Sequence, residues 1–264
     1  MARVIAVTNQ KGGVGKTTTC VNLAASLAAT RRRVLLVDMD PQGNATMGSG
    51  VDKNALELSG YDVLTKRASP AEVIVKTDAS GFDLLPANGD LTTAEVELMN
   101  EIGREHRLRL ALNSVRENYD YILIDCPPSL NLLTVNSLSA ADSVLIPMQC
   151  EYYALEGLAA LMNTVEQIKE PVNPNLEIEG ILRTMYDPRN SLTLDVSGQL
   201  SEYFGEKVYR AVIPRNVRLA EAPSYGMPAL AYDKTSKGAV AYLALAGEMV
   251  RRHGSKKTSA AVAV

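Results

Sequence analysis

Short runs of aliphatic and β-branched residues alternate with longer mixed stretches along almost the whole chain. The runs are Val4-Ile5-Ala6-Val7, Val34-Leu35-Leu36-Val37, Phe82-Asp83-Leu84-Leu85-Pro86, Tyr121-Ile122-Leu123-Ile124, Val144-Leu145-Ile146-Pro147 and Ile178-Glu179-Gly180-Ile181-Leu182. Continuous apolar runs of this kind predict strands buried on both faces. Residues 16–30, 92–117, 154–169, 192–204 and 236–253 predict helices between them. Regular strand–helix alternation predicts an α/β fold, a mostly parallel twisted sheet flanked by helices on both faces. Connections in such a sheet are right-handed, and ligands sit at the carboxyl ends of its strands. No linker rich in Gly, Ser or Pro and no internal repeat interrupts the pattern, so residues 1–253 are expected to form a single domain. After Gly254 the chain turns small and polar, and residues 254–264 are expected to be a disordered tail.

Composition narrows the function classes. Of 264 residues, 46% are hydrophobic and 22% charged, the balance of a soluble globular protein. Twelve Pro and 18 Gly fall without a period, against a collagen-like or low-complexity chain. No apolar run approaches the roughly 18–20 residues that span a bilayer. The first residues lack the apolar stretch and cleavage site of a signal peptide, which argues against export. Cys20, Cys126 and Cys150 form no C-x-x-C pair, so they suit a reducing, cytoplasmic compartment and give no disulfide or zinc framework. The net charge of -3 conceals a split, with -8 over residues 1–182 and +5 over 183–264. Such asymmetry can mark a binding face.

The strongest chemical signal is Lys11-Gly12-Gly13-Val14-Gly15-Lys16-Thr17-Thr18, between the first strand and the first helix. Without Cβ atoms in the way, backbone N–H groups of a Gly-rich turn can converge on phosphate oxygens, and the helix N-terminus adds partial positive charge. Lys16 would reach the β/γ-phosphates of ATP and the Thr17 hydroxyl would ligate Mg²⁺. A Gly-rich turn without a ligand would have to produce all these features by coincidence. Asp38-Met39-Asp40-Pro41-Gln42-Gly43-Asn44 ends the second strand, where paired acids can hold a metal through water or orient an attacking water. The same residues also make a good turn, and alone the two readings are even. Tyr121-Ile122-Leu123-Ile124-Asp125 reads as a strand delivering one carboxylate beside a metal, a weak motif unless it belongs to the same sheet.

The loop departs from G-x-x-x-x-G-K-[ST] because Gln10 replaces the first glycine and a second lysine precedes Gly12. In that form it resembles the deviant Walker A motif of the ParA/MinD superfamily of P-loop ATPases, in particular its chromosome-partitioning ParA (Soj-like) branch. The resemblance runs over about residues 2–250. It implies a P-loop NTPase fold and a weak Mg²⁺-dependent ATPase that a ParB-like centromere-binding partner stimulates. It makes Lys16 the cis lysine and Lys11 the trans lysine, which crosses an ATP-dependent homodimer interface to the partner's phosphates. It assigns Asp40 to positioning the hydrolytic water and Asp38 to the metal's outer shell, and it makes Asp125 a metal-shell residue. Ile213-Pro214-Arg215-Asn216 looks like the family's adenine-binding loop, in which Pro214 and Asn216 frame the base.

Arg189 and Arg218 match family positions used for sequence-independent contact with double-stranded DNA, although scattered arginines are by themselves an ordinary solvated surface. Such binding needs local positive charge rather than a basic protein. The resemblance therefore implies a nucleoid-associated protein of the cytoplasm that binds DNA as an ATP dimer and releases it on hydrolysis. The alternative within the superfamily is a MinD-like membrane-cycling cell-division regulator, which needs a C-terminal amphipathic helix with bulky apolar residues. Residues 255–264 contain no Leu, Ile or Phe, so no membrane partner is expected. Two readings from other classes are a small-molecule kinase or ligase and a scaffold with a structural nucleotide. Tyr152 and Tyr153 are expected to pack against the nucleotide side of the sheet, and His106 and His253 to be bland.

Overall fold

The computed structural model describes residues 1–77 and 79–262, without the side chains of 255–262. The strands are β1 (Arg3–Val7), β2 (Val34–Asp38), β3 (Val75–Lys76), β4 (Asp83–Leu85), β5 (Tyr121–Asp125), β6 (Ser143–Gln149) and β7 (Glu177–Thr184). They form one sheet in the order β3-β4-β2-β5-β1-β6-β7. Every pairing is parallel except the short β3–β4 edge. The helices are α1 (Lys16–Ala29), α2 (Asn44–Gly48), α3 (Gly60–Leu64), α4 (Pro70–Val73), α5 (Leu91–Glu97), α6 (Arg107–Asn113), α7 (Leu132–Ala140), α8 (Ala154–Val172), α9 (Ser191–Phe204), α10 (Val217–Glu221), α11 (Ala229–Tyr232) and α12 (Lys237–Val262).

Because successive strand residues point to opposite faces, each apolar run feeds two cores. Val4, Ala6, Leu35, Val37, Ile122 and Ile124 pack on one face with Leu108, Leu133 and Leu158. Ile5, Val7, Leu36, Leu123 and Leu145 pack on the other with Leu23, Leu27, Leu245 and Met249 of α1 and α12. Register then aligns the chemistry. Val7 and Asp38 both pair with Asp125, so β1, β2 and β5 end level with one another. The Gly-rich loop leaves β1 at that edge.

The expected strands are all present, and four of the five expected helices are continuous. The stretch 92–117 is not. It breaks into α5, a 3-10 turn at Leu98–Asn100, a left-handed Gly103 (φ 67°), a second 3-10 turn at Arg104–His106 and α6. A left-handed residue cannot continue a right-handed helix, and Gly adopts it without the Cβ penalty. The antiparallel β3 was not expected: Val73-Ile74-Val75 is a β-branched run, but Val73 closes α4 and only Val75 and Lys76 pair with β4. The tail expected over 254–264 falls, from residue 255 on, outside the residues whose side chains are described.

At the opposite end of the sheet, His253 is no bland helix terminus. Its Nε2 lies 2.8 Å from Glu179 Oε1 and its Nδ1 3.0 Å from the Tyr121 hydroxyl. Glu179 also accepts from Arg3 (2.9 Å), Ser143 (2.8 Å) and Tyr209 (3.0 Å). This buried cluster ties α12 to β1, β5, β6 and β7.

Candidate functional site

The loop between β1 and α1 is built on glycine. Gly13 (φ 72°) and Gly15 (φ 87°) occupy left-handed conformations, and Gly15 delivers the chain into α1 with no side-chain cap and no acid in the first turn. The N–H groups of that turn thus stay available to an anion. Thr184, at the end of β7, donates its hydroxyl to the Val14 carbonyl at 2.8 Å and fixes the loop from behind. Lys16 is only 8% exposed, with Nζ 3.3 Å from the Lys11 carbonyl, so the ammonium lies across the loop. Lys11 instead points to the rim, where it forms an ion pair with Glu151. Asn9 and Gln10 fasten the same stretch to Pro147 and Thr164 at 2.8 and 3.1 Å.

The two buried acids differ. Both oxygens of Asp38 are engaged by its own segment: Oδ1 accepts from the Asp40 amide (3.1 Å), and Oδ2 from the Thr46 amide (2.8 Å) and hydroxyl (2.7 Å). Asp125 keeps Oδ2 buried without a hydrogen-bond partner at ordinary distance, while Oδ1 receives the Cys20 thiol at 3.5 Å and the Thr17 hydroxyl lies close enough to favour the charged form. Burial pushes both carboxyls above the ordinary range; the nearby Asp38 charge lifts Asp125 further, while the Thr46 hydrogen bonds partly offset the rise for Asp38. A buried carboxylate with a vacant oxygen and no cation partner suits a hard divalent ion, as does Thr17 beside it. Asp40 is partly exposed, and its Oδ1 accepts from the Gln42 amide at 2.9 Å, which holds it at the open side of the segment.

Beyond Gly15 and Thr18 opens a cavity of about 420 Å³, lined also by Thr184, Met185, Pro214, Asn216 and Tyr242. Asn216 Oδ1 is buried there without a partner, an acceptor suited to an exocyclic amino group. The structure thus brings Lys16, Thr17, Thr18, Asp38, Asp40, Asp125, Pro214 and Asn216 around one edge of the sheet. A larger cavity of about 770 Å³ lies along β7, lined by Arg183, Tyr209 and Arg252 among others, and none of the candidate residues borders it.

Arg189 is 87% exposed and Arg218 is also at the surface, but neither guanidinium is free. Asp187 holds Arg189 through Nε (2.9 Å) and Nη2 (2.8 Å). Glu221 and Asp233 hold Arg218 at 2.7 and 3.4 Å. No role was read for these carboxylates from the sequence, although Glu221 stands three residues after Arg218 and Asp187 two before Arg189; Asp233, Glu151 and Thr184 come from distant segments, and no local pattern marks them. Tyr152 and Tyr153 correct an expectation. They are 74% and 71% exposed, in edge-to-face contact at 4.9 Å, rather than packed on the sheet, because the turn before α8 projects them outward. The three thiols are buried and free of disulfides, and burial raises Cys126 to about 12 and Cys150 to about 11, so they stay protonated and inert. Among the described residues no helix is long and apolar enough to cross a membrane.

Comparison with known proteins agrees with this geometry. Residues 2–178 match the family model described as an AAA domain. The sporulation initiation inhibitor protein Soj of Bacillus subtilis is 55% identical over 249 residues, 94% of this chain and 98% of Soj. The chromosome partitioning protein ParA of Caulobacter vibrioides is 52% identical over 98% of both chains. Among solved structures, a cobyrinic acid a,c-diamide synthase from Mycobacterium smegmatis, with bound ATP analogue and magnesium, superposes with a TM-score of 0.85. It is 39% identical over 97% of both chains.

Proposed function

This chain belongs to the AAA-domain family of P-loop ATPases and, within it, to the group of the partitioning proteins ParA and Soj, and we propose that it is an ATP-driven DNA-partitioning switch. The observation that carries the reading is one shared edge. There the doubled-lysine loop, the unpartnered Asp125 oxygen and the cavity holding the unpartnered Asn216 oxygen meet. The loop and Lys16 bind the phosphates of ATP, while Pro214 and Asn216 hold the adenine. Thr17 and Asp125 would hold Mg²⁺, whose charge would offset that of the phosphates. Asp40 orients the attacking water. Lys11, already at the rim, leaves Glu151 to reach the phosphates of a second copy, where two facing nucleotides concentrate negative charge.

In this reading ATP forms a homodimer, the dimer binds double-stranded DNA without sequence preference through Arg189 and Arg218, and hydrolysis releases it. A ParB-like protein accelerates the slow step, and the protein works in the cytoplasm on the nucleoid. A gel-shift series on an arbitrary duplex, with no nucleotide, ADP or ATP, tests the switch. ATP-dependent shifts are expected for the native chain and Asp40→Ala, and none for Lys16→Ala or Arg218→Glu. Binding that ignores the nucleotide, or that fails at low salt, overturns the reading. ATP-dependent co-sedimentation with liposomes would point to the MinD-like cycle instead.

The name of the Mycobacterium smegmatis structure favours a second reading, an ATP-dependent ligase. That activity requires an acceptor substrate and turns over without DNA, so turnover with and without duplex separates the two.

A further inference from the structure

Thr46 lies wholly buried in α2, eight residues beyond Asp38. Its hydroxyl does two things at once. It donates to Asp38 Oδ2 at 2.7 Å and accepts from the Ala87 amide at 2.9 Å. Ala87 is also buried, just past the end of β4, so the hydroxyl joins the segment after β2 to the backbone leaving the next strand. Asp38 passes the constraint on, because its other oxygen accepts from the Asp40 amide at 3.1 Å. Around this line the segment has no slack. Met39 N–H donates to the Asp125 carbonyl at 3.0 Å, and Gly43 N–H to the Asp40 carbonyl at 2.9 Å. Gly43 is left-handed (φ 60°), and a Cβ there would stand 2.7 Å from the Ala87 carbonyl oxygen.

A hydroxyl used as donor and acceptor in a fully buried place has no water to replace either bond. Its loss would leave the Ala87 N–H unpaired and Asp38 Oδ2 with one donor instead of two. From this relay we infer that Thr46 is a positioning residue for hydrolysis: through Asp38 it fixes the backbone from which Asp40 is presented. The inference rests on the ATPase reading above for Asp40's task, and on the structure alone for the relay. Thr46 lines neither the loop nor the nucleotide cavity, so its contribution falls on turnover rather than on nucleotide binding. Small displacements of a positioned group lower rates steeply, which gives the effect its size.

The test compares the full chain with Thr46→Val, which keeps shape and removes the hydroxyl, and Thr46→Ser, which restores it. Thr46→Val is expected to lower kcat for ATP about tenfold with KM and nucleotide affinity within about twofold, and Thr46→Ser to recover most of the rate. Amide hydrogen exchange supplies a readout that needs no turnover. Residues 38–46 should exchange about tenfold faster in Thr46→Val than in the native chain, while α1 is unchanged. Unchanged exchange over 38–46 overturns the relay whether or not the chain hydrolyses ATP. A kcat loss matched by an equal loss of nucleotide affinity, or one that Thr46→Ser fails to repair, overturns the positioning role. A native chain without ATPase activity but with the expected exchange difference sinks the ATPase reading and leaves the relay standing.

Discussion

At the scale of single residues, the site holds a carboxylate that the fold does not want. Asp125 is fully buried, one of its oxygens has no partner, and burial followed by the Asp38 charge raises its pKa. A raised acid means that the native chain holds a proton the unfolded chain has given up, so this group's contribution declines as pH rises above about 4. Asp125→Asn is therefore expected to stabilise the ligand-free chain at pH 8, by about 1–3 kcal/mol, and to lose most of the gain near pH 4. The same variant should lose the additional stability that Mg²⁺ and ATP give the native chain. Thermal melts at both pH values, with and without Mg²⁺ and ATP, measure this; a variant less stable than the native chain at pH 8 without ligand would sink it. Sequence could place Asp38 and Asp125 at strand ends but could not rank them. The difference lies in Thr46 and the Asp40 amide, which engage both oxygens of Asp38, whereas Asp125 keeps one oxygen without a partner.

At the scale of elements, apolar runs predicted every long strand because a strand buried on both faces needs little beyond its own composition. Predictions failed where one residue's conformation decides the path: 92–117 contains amphipathic material throughout, yet Gly103 turns left-handed and divides it. Close packing is equally invisible in sequence. Gly180 sits in β7 where a Cβ would meet the Lys207 carbonyl oxygen and the Tyr209 ring at 2.7 Å each, beside an irregularity in the β6–β7 register. Neither neighbour can yield readily, since one is backbone and the other is fully buried and bonded to Glu179. Gly180→Ala is expected to destabilise by about 1–3 kcal/mol, lowering Tm by roughly 2–4 °C per kcal/mol. An unchanged melting curve would refute it. Next door, burial alone would raise Glu179, but His253, Arg3 and Ser143 outweigh it and hold the carboxyl well below the usual range. A depressed acid contributes stability that is complete above its unfolded value near 4.5 and is lost as pH falls below it. Glu179→Gln should therefore be markedly less stable at pH 7 and approach the native chain in acid; a constant difference across pH would mean that the cluster acts by packing alone.

At the scale of the whole molecule, the charge of -3 says little about partners, because the +5 over residues 183–264 contains both proposed DNA contacts. The structure adds what charge counting cannot see, that Arg189 and Arg218 are each already paired with carboxylates. Exposed pairs of this kind contribute little and are screened by salt, so DNA phosphates can displace Asp187, Glu221 and Asp233 at little cost. Two arginines on one chain are nevertheless a thin footing for a duplex. Each phosphate contact adds about -0.9 to the slope of log affinity against log salt, so a single chain gives about -2 and the proposed dimer about -4. Titrating a fluorescent duplex with ATP-bound protein at several salt concentrations should give the steeper slope, and the neutral truncation Arg218→Ala, milder than the charge reversal, should reduce it by about two as both copies lose a contact. Asp187→Asn, which frees Arg189 without adding charge to it, should tighten binding severalfold at low salt. A slope near -2 in ATP would show that one chain carries the contact and that nucleotide acts by some route other than doubling the arginines.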